Sequence, residues 1–161
     1  MKYRTSWTVP APLEKVALAF CSEGYNVEEA VSREDVKSAS FKPIAEGPDS
    51  REFEIHYVEY RRTKLGKLDK SGTARAVTES VYRDKDRTLR WVYKGPETRV
   101  SIAGTYRLEP AGEQTRVFHE TDIDVRIPVI GGRIAKVIAE EFGKAMPRVQ
   151  RILERHATGR A

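Results

Sequence analysis

His119 is the strongest candidate in this sequence for a side chain that does chemistry. It lies in an alternating segment, in phase with Val117 and Ile123, so we expect its imidazole to point at the interior. A neutral imidazole there can act as a general acid, a general base or a contact to a bound ligand. The plainer interpretation, which carries more weight, is a core histidine that hydrogen-bonds a neighbour such as Tyr106 or Thr5.

Aromatic and small side chains recur on the apolar faces of several segments and predict a surface that can hold a ligand. Ala74, Ala76 and Gly104 are small, whereas Tyr and Trp carry polar tips that need hydrogen-bond partners when buried. Such a mixed face under a helix can leave space for a small molecule, although each aromatic also fits a plain core. The predicted ligand-binding residues are Tyr57, Trp91, Tyr93, Tyr106 and His119 on strands, with Ile138, Phe142 and Met146 on a helix.

The densest cluster of positive charge lies in residues 61–70, between two predicted strands. Its members are Arg61, Arg62, Lys64, Lys67 and Lys70. This basic loop could contact a membrane surface or an acidic partner, although a solvated hairpin loop is the simpler interpretation. Acidic residues are interspersed through the rest of the chain despite a net charge of +5, so we predict no nucleic-acid binding.

Length and composition indicate a single soluble domain. The chain has 161 residues, of which 33% are charged, and no apolar run approaches the ~18–20 residues that span a bilayer. Residues 1–7 lack the apolar core of a signal peptide. One cysteine, Cys21, excludes an internal disulfide and fits a reducing cytosol. We therefore predict a cytoplasmic protein, and its oligomeric state is not readable from the sequence.

The elements that must position these residues are a series of strands followed by one long helix. Alternation predicts strands at residues 2–9, 36–46, 51–60, 73–83, 88–94, 99–109 and 115–127, joined by tight turns that make antiparallel neighbours. Helical spacing predicts short helices at residues 12–21 and 24–30. It also predicts a long amphipathic helix from Ile130 to about His156, kinked near Gly143 and Pro147. The apolar side of that helix must cover the sheet.

Two motifs carry a resemblance to a known superfamily. The opening segment Trp7–Val16 resembles the first strand and helix of START-like, or Bet v 1-like, proteins, and residues 125–134 (VRIPVIGGRI) resemble the DUF2505 family of unknown function. The resemblance implies an α+β helix-grip fold in residues 1–157, with about seven curved antiparallel strands around the long C-terminal helix and a tail at 158–161. It also implies an apolar ligand held between that helix and the sheet.

Three acidic residues, Glu120, Asp122 and Asp124, share one face of the last predicted strand and raise the question of a metal site. The resemblance implies that the first and last strands pair, which would place Lys2 and Arg4 opposite these acids as exposed ion pairs. We prefer the ion pairs. No phosphate-binding glycine loop, zinc spacing or nucleophile elbow occurs in the sequence. We therefore predict no metal and no cofactor, and we expect His56 and His156 to be solvated.

The sequence favours a carrier or binder of a small apolar or amphipathic, lipid-like ligand. The alternative is an enzyme of the cyclase or dehydratase kind, in which His119 would act as acid or base. A third interpretation is a membrane-surface or protein-interaction module that works through the basic loop. None of the three is decided by the residues, and the identity of the ligand is not readable.

Overall fold

The computed structural model describes residues 1–63 and 67–160, which form one antiparallel sheet and three helices. The strands are β1 (Lys2–Val9), β2 (Val36–Glu46), β3 (Ser50–Arg62), β4 (Leu68–Arg83), β5 (Thr88–Lys94), β6 (Val100–Ala111) and β7 (Gln114–Val125). The helices are α1 (Leu13–Phe20), α2 (Glu23–Val31) and α3 (Gly131–Thr158). The predicted α+β architecture and the order of its elements are confirmed.

The strands lie in the order β1-β7-β6-β5-β4-β3-β2, so the first and last strands are neighbours. Thr5 pairs with His119 across β1 and β7, and Tyr106 pairs with His119 across β6 and β7. Strand β2 is an edge strand whose register shifts between Pro43 and Ala45. A proline cannot donate to a ladder and is tolerated at such a bulge.

Helix α3 lies against one face of the sheet, which we call the inner face. It contacts β1 and β7 as well as α1 and α2. The helix is continuous through Pro147, and the predicted single helix is therefore confirmed, whereas the predicted kink stays a prediction. Its buried side includes Ala135, Met146, Val149, Ile152, Leu153 and Ala157. No helix in the described part of the chain is long and apolar enough to cross a bilayer.

A tightly packed core lies under the C-terminal half of α3. Leu153 of α3 and Val16 of α1 are fully buried together with Leu108 and Val117 of the sheet. Core residues of this kind contribute about 1.5–3 kcal/mol each by burial. This core fixes the last turns of α3, so that the preceding turns lie over the middle of the inner face.

The largest difference from the predicted strand boundaries lies at the start of β4. Strand β4 begins at Leu68 instead of residue 73, because β3 and β4 continue as a two-stranded ribbon in which Arg62 pairs with Leu68. A register shift follows Tyr60 within this ribbon. The basic cluster therefore lies partly on strands and not entirely in a loop.

Candidate functional site

An aromatic cluster surrounds His119 in the middle of the inner face. The Tyr106 ring stacks on the imidazole with centroids 4.4 Å apart and an interplanar angle of 9°. Tyr3 lies 5.9 Å away, Phe142 of α3 lies 6.2 Å away and Trp91 lies 6.5 Å away. Rings from three other strands and from α3 therefore meet at this one side chain, as cross-strand positions on one face allow.

His119 is buried and keeps one nitrogen without a protein partner. Its side chain is 2% exposed, and Nε2 lies 2.7 Å from the Thr121 hydroxyl. Nδ1 has no hydrogen-bond partner among the described residues. The predicted inward direction is confirmed, whereas the partner is Thr121 and not Tyr106 or Thr5. Burial lowers the pKa of His119 to about 4, so the imidazole is neutral at pH 7.

Trp91 lies flat across the sheet because its cross-strand neighbour is Gly104. A Cβ on Gly104 would lie 2.6 Å from Cζ2 of Trp91 and 2.6 Å from the Glu120 carbonyl oxygen. The missing side chain is therefore what makes room for the indole. The Nε1 atoms of Trp91 and Trp7 are buried and have no hydrogen-bond partner in the described part of the molecule.

A partly buried ionic cluster lies beside the aromatic one. Glu59 is 7% exposed and accepts hydrogen bonds from the Tyr93 hydroxyl and, at 3.0 Å, from the Arg33 guanidinium. Arg33 also donates to both carboxylate oxygens of Asp35, at 3.1 and 2.9 Å, and lies 5.5 Å from the Tyr57 ring centroid. The α2–β2 connection and strands β3 and β5 are thus joined by charge-assisted hydrogen bonds.

Burial and pairing set the protonation states in this ionic cluster. Burial lowers the pKa of the Arg33 guanidinium, but its bonds to Asp35 outweigh that effect, and the net pKa is raised. Burial and then the bond to Glu59 raise the pKa of Tyr93. Burial raises the pKa of Tyr57 to about 12, and its hydroxyl donates to Thr78 at 3.0 Å. The cluster therefore presents neutral phenols and one fully paired cation.

The structure brings some of the predicted site residues together and separates others. Trp91, Tyr106, His119 and Phe142 share the aromatic cluster. Tyr57 and Tyr93 form a separate pair, with ring centroids 6.4 Å apart, next to the ionic cluster. The helix residue Ile138 precedes Phe142 by four residues and Met146 follows it by four, and Met146 is buried whereas Ile138 is half-buried.

Sequence reasoning missed Tyr3, Arg33 and Glu59 as site residues. Tyr3 stacks on Phe142 with centroids 6.2 Å apart. A signal for Glu59 was present, because it continues the inward phase of Ile55 and Tyr57 and is the carboxylate on that face. Arg33 offered no such signal, since it lies in the connection between α2 and β2. It contacts Glu59 only because this connection packs against β3.

Three aromatic side chains of the inner face are less buried than the core beside them. Trp7, Trp91 and Tyr106 are half-buried, whereas Leu108 and Val117 on the same face are 2% and 0% exposed. The rings therefore keep accessible surface although they face α3. Aromatic surface with unsatisfied polar tips is typical of a binding site for a small molecule.

The predicted acidic face on β7 is a set of ion pairs. Lys2 lies 3.1 Å from Glu120 and 3.6 Å from Asp122, and Arg4 lies 2.6 Å from Glu120. No group of three potential ligands suited to a metal ion occurs among residues 1–63 and 67–160. Exposed pairs of this kind contribute at most about 1 kcal/mol each. They pin the register of β1 on β7 and hence the position of Tyr3.

The other two histidines differ from each other. His56 is exposed and bonds Glu54 at 2.9 Å, in line with the expectation. The expectation of a solvated His156 is wrong, because its ring is half-buried, 6.2 Å from the Tyr25 ring, and its Nε2 lies 3.5 Å from Glu28. Helix α2 packs over the end of α3 and covers it.

The predicted basic loop is described only in part. Arg61 donates to the Thr73 carbonyl oxygen at 3.1 Å, and the Lys70 ammonium lies 5.5 Å from the Tyr60 ring. Arg62 also interacts within the protein, and Lys67 is exposed. Lys64 lies outside the described residues. Membrane contact through this loop stays a prediction.

The burial of His119 predicts a pH dependence of stability. Between pH 6.5 and about 4 the unfolded chain binds a proton on this ring that the folded protein excludes, so stability falls as the pH falls through this window. The full loss is roughly 3 kcal/mol. Denaturation of His119→Leu at several pH values should show a shallower slope. An NMR titration that places the midpoint of His119 in the folded protein near 6.5 would contradict this prediction.

The sheet, the two short helices after β1 and the long helix on the inner face define the helix-grip fold class, which the chain shares with a solved START superfamily structure. Within that class the family is identified by sequence. Residues 4–156 match the model of DUF2505, described as a protein of unknown function, and the chain belongs to this family. No curated protein matches the chain.

Solved structures share the fold at low identity. TTHA0849 from Thermus thermophilus is 22% identical, with 99% of this chain and 98% of that chain covered and a TM-score of 0.66. A START superfamily protein from Mycobacterium smegmatis is 14% identical, with 99% of both chains covered and a TM-score of 0.62. The Zhui aromatase/cyclase from a Streptomyces species is 13% identical, with coverage of 99% and 92% and a TM-score of 0.57.

Proposed function

We propose that this protein binds a small amphipathic molecule between α3 and the inner face of the sheet. The observation that carries the proposal is a set of half-buried aromatic rings beside polar atoms that have no partner in the described residues: Nε1 of Trp91, Nε1 of Trp7 and Nδ1 of His119. An unpaired buried polar atom costs about 1–3 kcal/mol. An oxygen atom of a bound molecule would remove part of that cost.

The arrangement favours a flat aromatic ligand that carries a carbonyl or hydroxyl oxygen. The rings of Trp91 and Phe142 are 6.3 Å apart and inclined by only 30°, so they present nearly parallel surfaces. Both indoles are donors only, and therefore require an acceptor from the ligand. Glu59 already accepts two hydrogen bonds. The buried Glu59 and the half-buried Asp35 disfavour a ligand carboxylate near that end of the site.

A second candidate function is catalysis of the cyclase or dehydratase kind. The observation that favours it is the neutral imidazole of His119, whose Nδ1 is not occupied by a described protein group. One solved relative of this fold is named an aromatase/cyclase. If His119 is the acid or base, His119→Asn should abolish turnover and leave ligand affinity within about tenfold. A catalyst with full turnover after this substitution would remove His119 from the mechanism.

Intrinsic fluorescence tests the binding proposal, because both tryptophans of the protein, Trp7 and Trp91, lie on the inner face. Titration with 2-acetylnaphthalene should change this fluorescence and saturate. The matched hydrocarbon 2-ethylnaphthalene lacks the carbonyl oxygen and should bind several-fold more weakly, since one hydrogen bond contributes about 0.5–1.5 kcal/mol. A carrier without a polar contact would bind both compounds equally.

Two variants locate the binding site. Phe142→Ala removes one ring of the α3 wall and should weaken binding of 2-acetylnaphthalene by about tenfold. Val92→Ala is the matched control, because Val92 is the neighbour of Trp91 in sequence but is exposed on the outer face. Equal affinity of the two variants, or no saturable change with either compound, would contradict the proposal.

A further inference from the structure

The end of the sheet at which β7 leads into α3 combines exposed aliphatic side chains with positive charge. We call it the connector end. Strand β7 finishes there and β6 begins, since Val125 pairs with Val100. Neighbouring strands of the sheet are antiparallel, so β5 also ends here. The ribbon formed by the end of β3 and the start of β4 extends from the same end. The topology therefore places the β7–α3 connection, the 95–99 turn and the ribbon side by side.

Val129 forms an exposed tip at this end. Its side chain is fully exposed, and its φ of 70° lies in the left-handed region, which is a genuine outlier for a β-branched residue. Ile130 beside it is 46% exposed, and Val137 on the next helical turns is 53% exposed. The packing of the described residues accounts for neither the backbone strain at Val129 nor the exposure of these side chains. Observed strain of this kind is a reason to look for a function.

The tip is held out by a tight reversal of the chain. The Gly131 N–H donates to the Ile127 carbonyl oxygen at 2.9 Å, and the Ile130 N–H donates to that of Pro128 at 2.9 Å. A Cβ on Gly131 would lie 2.5 Å from the Val125 carbonyl oxygen, so α3 begins in close contact with the end of β7. The residues between them are therefore pushed outward, with Val129 at the apex.

Positively charged residues flank this tip on both sides along the chain. Arg133 and Lys136 are exposed on the first turns of α3. Arg133 lies four residues before Val137 and Lys136 directly before it. Neither cation has an acidic partner among the described residues. Arg126 precedes the tip and donates to the Thr98 carbonyl oxygen. The described arms of the β3–β4 ribbon add further cations at this end. These are Arg61, Lys67 and Lys70.

We propose that the connector end docks on the surface of an anionic phospholipid membrane. Val129, Ile130 and Val137 would enter the headgroup region, and Arg133, Lys136 and Arg126 would lie at the level of the lipid phosphates. This surface fits an anionic membrane, because aliphatic side chains bury apolar area in the headgroup region and cations are attracted to anionic lipids. A nucleic acid would use the cations but would gain little from aliphatic side chains, since bases are bound by aromatic stacking.

Vesicle co-sedimentation with the full chain tests the proposal. The protein should bind vesicles of phosphatidylcholine with phosphatidylserine, and much less to vesicles of phosphatidylcholine alone. Val129→Asn should weaken binding by about fivefold or more, from the loss of one inserted aliphatic side chain. It should not lower the melting temperature, because asparagine tolerates the left-handed region better than valine does. Loss of binding together with loss of stability would be the signature of mere unfolding and would overturn the proposal.

Matched controls separate the tip from general surface effects. Ile44→Asn replaces an aliphatic residue of 47% exposure on β2, toward the opposite end of the sheet, and should leave vesicle binding unchanged. Arg133→Gln combined with Lys136→Gln should weaken binding by about tenfold and reduce its salt dependence. Binding that depends on the two cations but is unchanged by Val129→Asn would identify a polyanion partner and overturn the membrane proposal.

This proposal is independent of ligand binding on the inner face. The Val129→Asn protein should bind 2-acetylnaphthalene with unchanged affinity. A variant that loses both vesicle and 2-acetylnaphthalene binding would instead show that the tip supports the inner site, and this outcome would overturn a separate docking surface. Absence of vesicle binding by the wild-type protein would overturn it directly and leave the ligand proposal intact.

Discussion

Glu59→Ala is expected to destabilise the protein by roughly 2 kcal/mol, because it leaves the half-buried Arg33 guanidinium with Asp35 alone and leaves the Tyr93 hydroxyl without its acceptor. Removal of one member of a buried, hydrogen-bonded ion pair is costly, since the remaining charge stays desolvated. Chemical denaturation at pH 7 measures the change in the free energy of unfolding.

Two variants serve as controls for the Glu59 prediction. Tyr93→Phe removes one hydrogen bond and no charge and should cost about 1 kcal/mol. Glu54→Ala removes a carboxylate from the outer face of the same strand, where it bonds the exposed His56, and should change stability by less than about 1 kcal/mol. A Glu59→Ala protein as stable as Glu54→Ala would contradict the assignment of a stabilising ionic cluster.

Gly104→Ala is expected to destabilise the protein by about 2–3 kcal/mol, although a glycine in a strand is normally less stable than alanine. The added Cβ would lie 2.6 Å from both the Trp91 ring and the Glu120 carbonyl oxygen. The indole can move, but the backbone of the adjacent strand can do so only by distortion of the sheet. Denaturation with tryptophan fluorescence measures both the stability and the displacement of Trp91.

Gly132→Ala is the matched control for Gly104. A Cβ on Gly132 would meet no atom within 4 Å, and the position is helical. Alanine should therefore stabilise α3 by up to about 1 kcal/mol. If Gly104→Ala were also stabilising, the close approach of Trp91 to β6 would not describe the protein in solution.

The fold was predictable because its periodic signals are strong and agree with one another. Alternation in β7 gave the inward direction of His119, and the same alternation placed Glu120 on the outer face opposite Lys2 and Arg4. Thr5 and His119 are direct neighbours as a consequence of the same register. The facing of His119 and Glu120 depends only on side-chain phase, which a single strand carries in its own sequence, whereas the pairing of β1 with β7 was implied by the resemblance.

The contacts that define the site depend on register and on distant segments, which periodicity does not encode. The pairing of Trp91 with Gly104 requires the exact alignment of β5 on β6. Arg33 reaches Glu59 only because the α2–β2 connection folds against β3. The choice of Thr121 as partner of His119 is a matter of local geometry within β7. The sequence therefore predicts which face holds the candidate site but not its hydrogen bonds.

Intermolecular nuclear Overhauser effects test the central claim most directly. With isotope-labelled protein and unlabelled 2-acetylnaphthalene, we expect cross-peaks from the ligand to the rings of Trp91 and Phe142, which contact each other between the sheet and α3. The outer face supplies the contrast, since Phe118 lies there with its ring 4.3 Å from the Arg107 guanidinium. Cross-peaks to Phe118 and none to Trp91 or Phe142 would contradict a ligand site between α3 and the sheet.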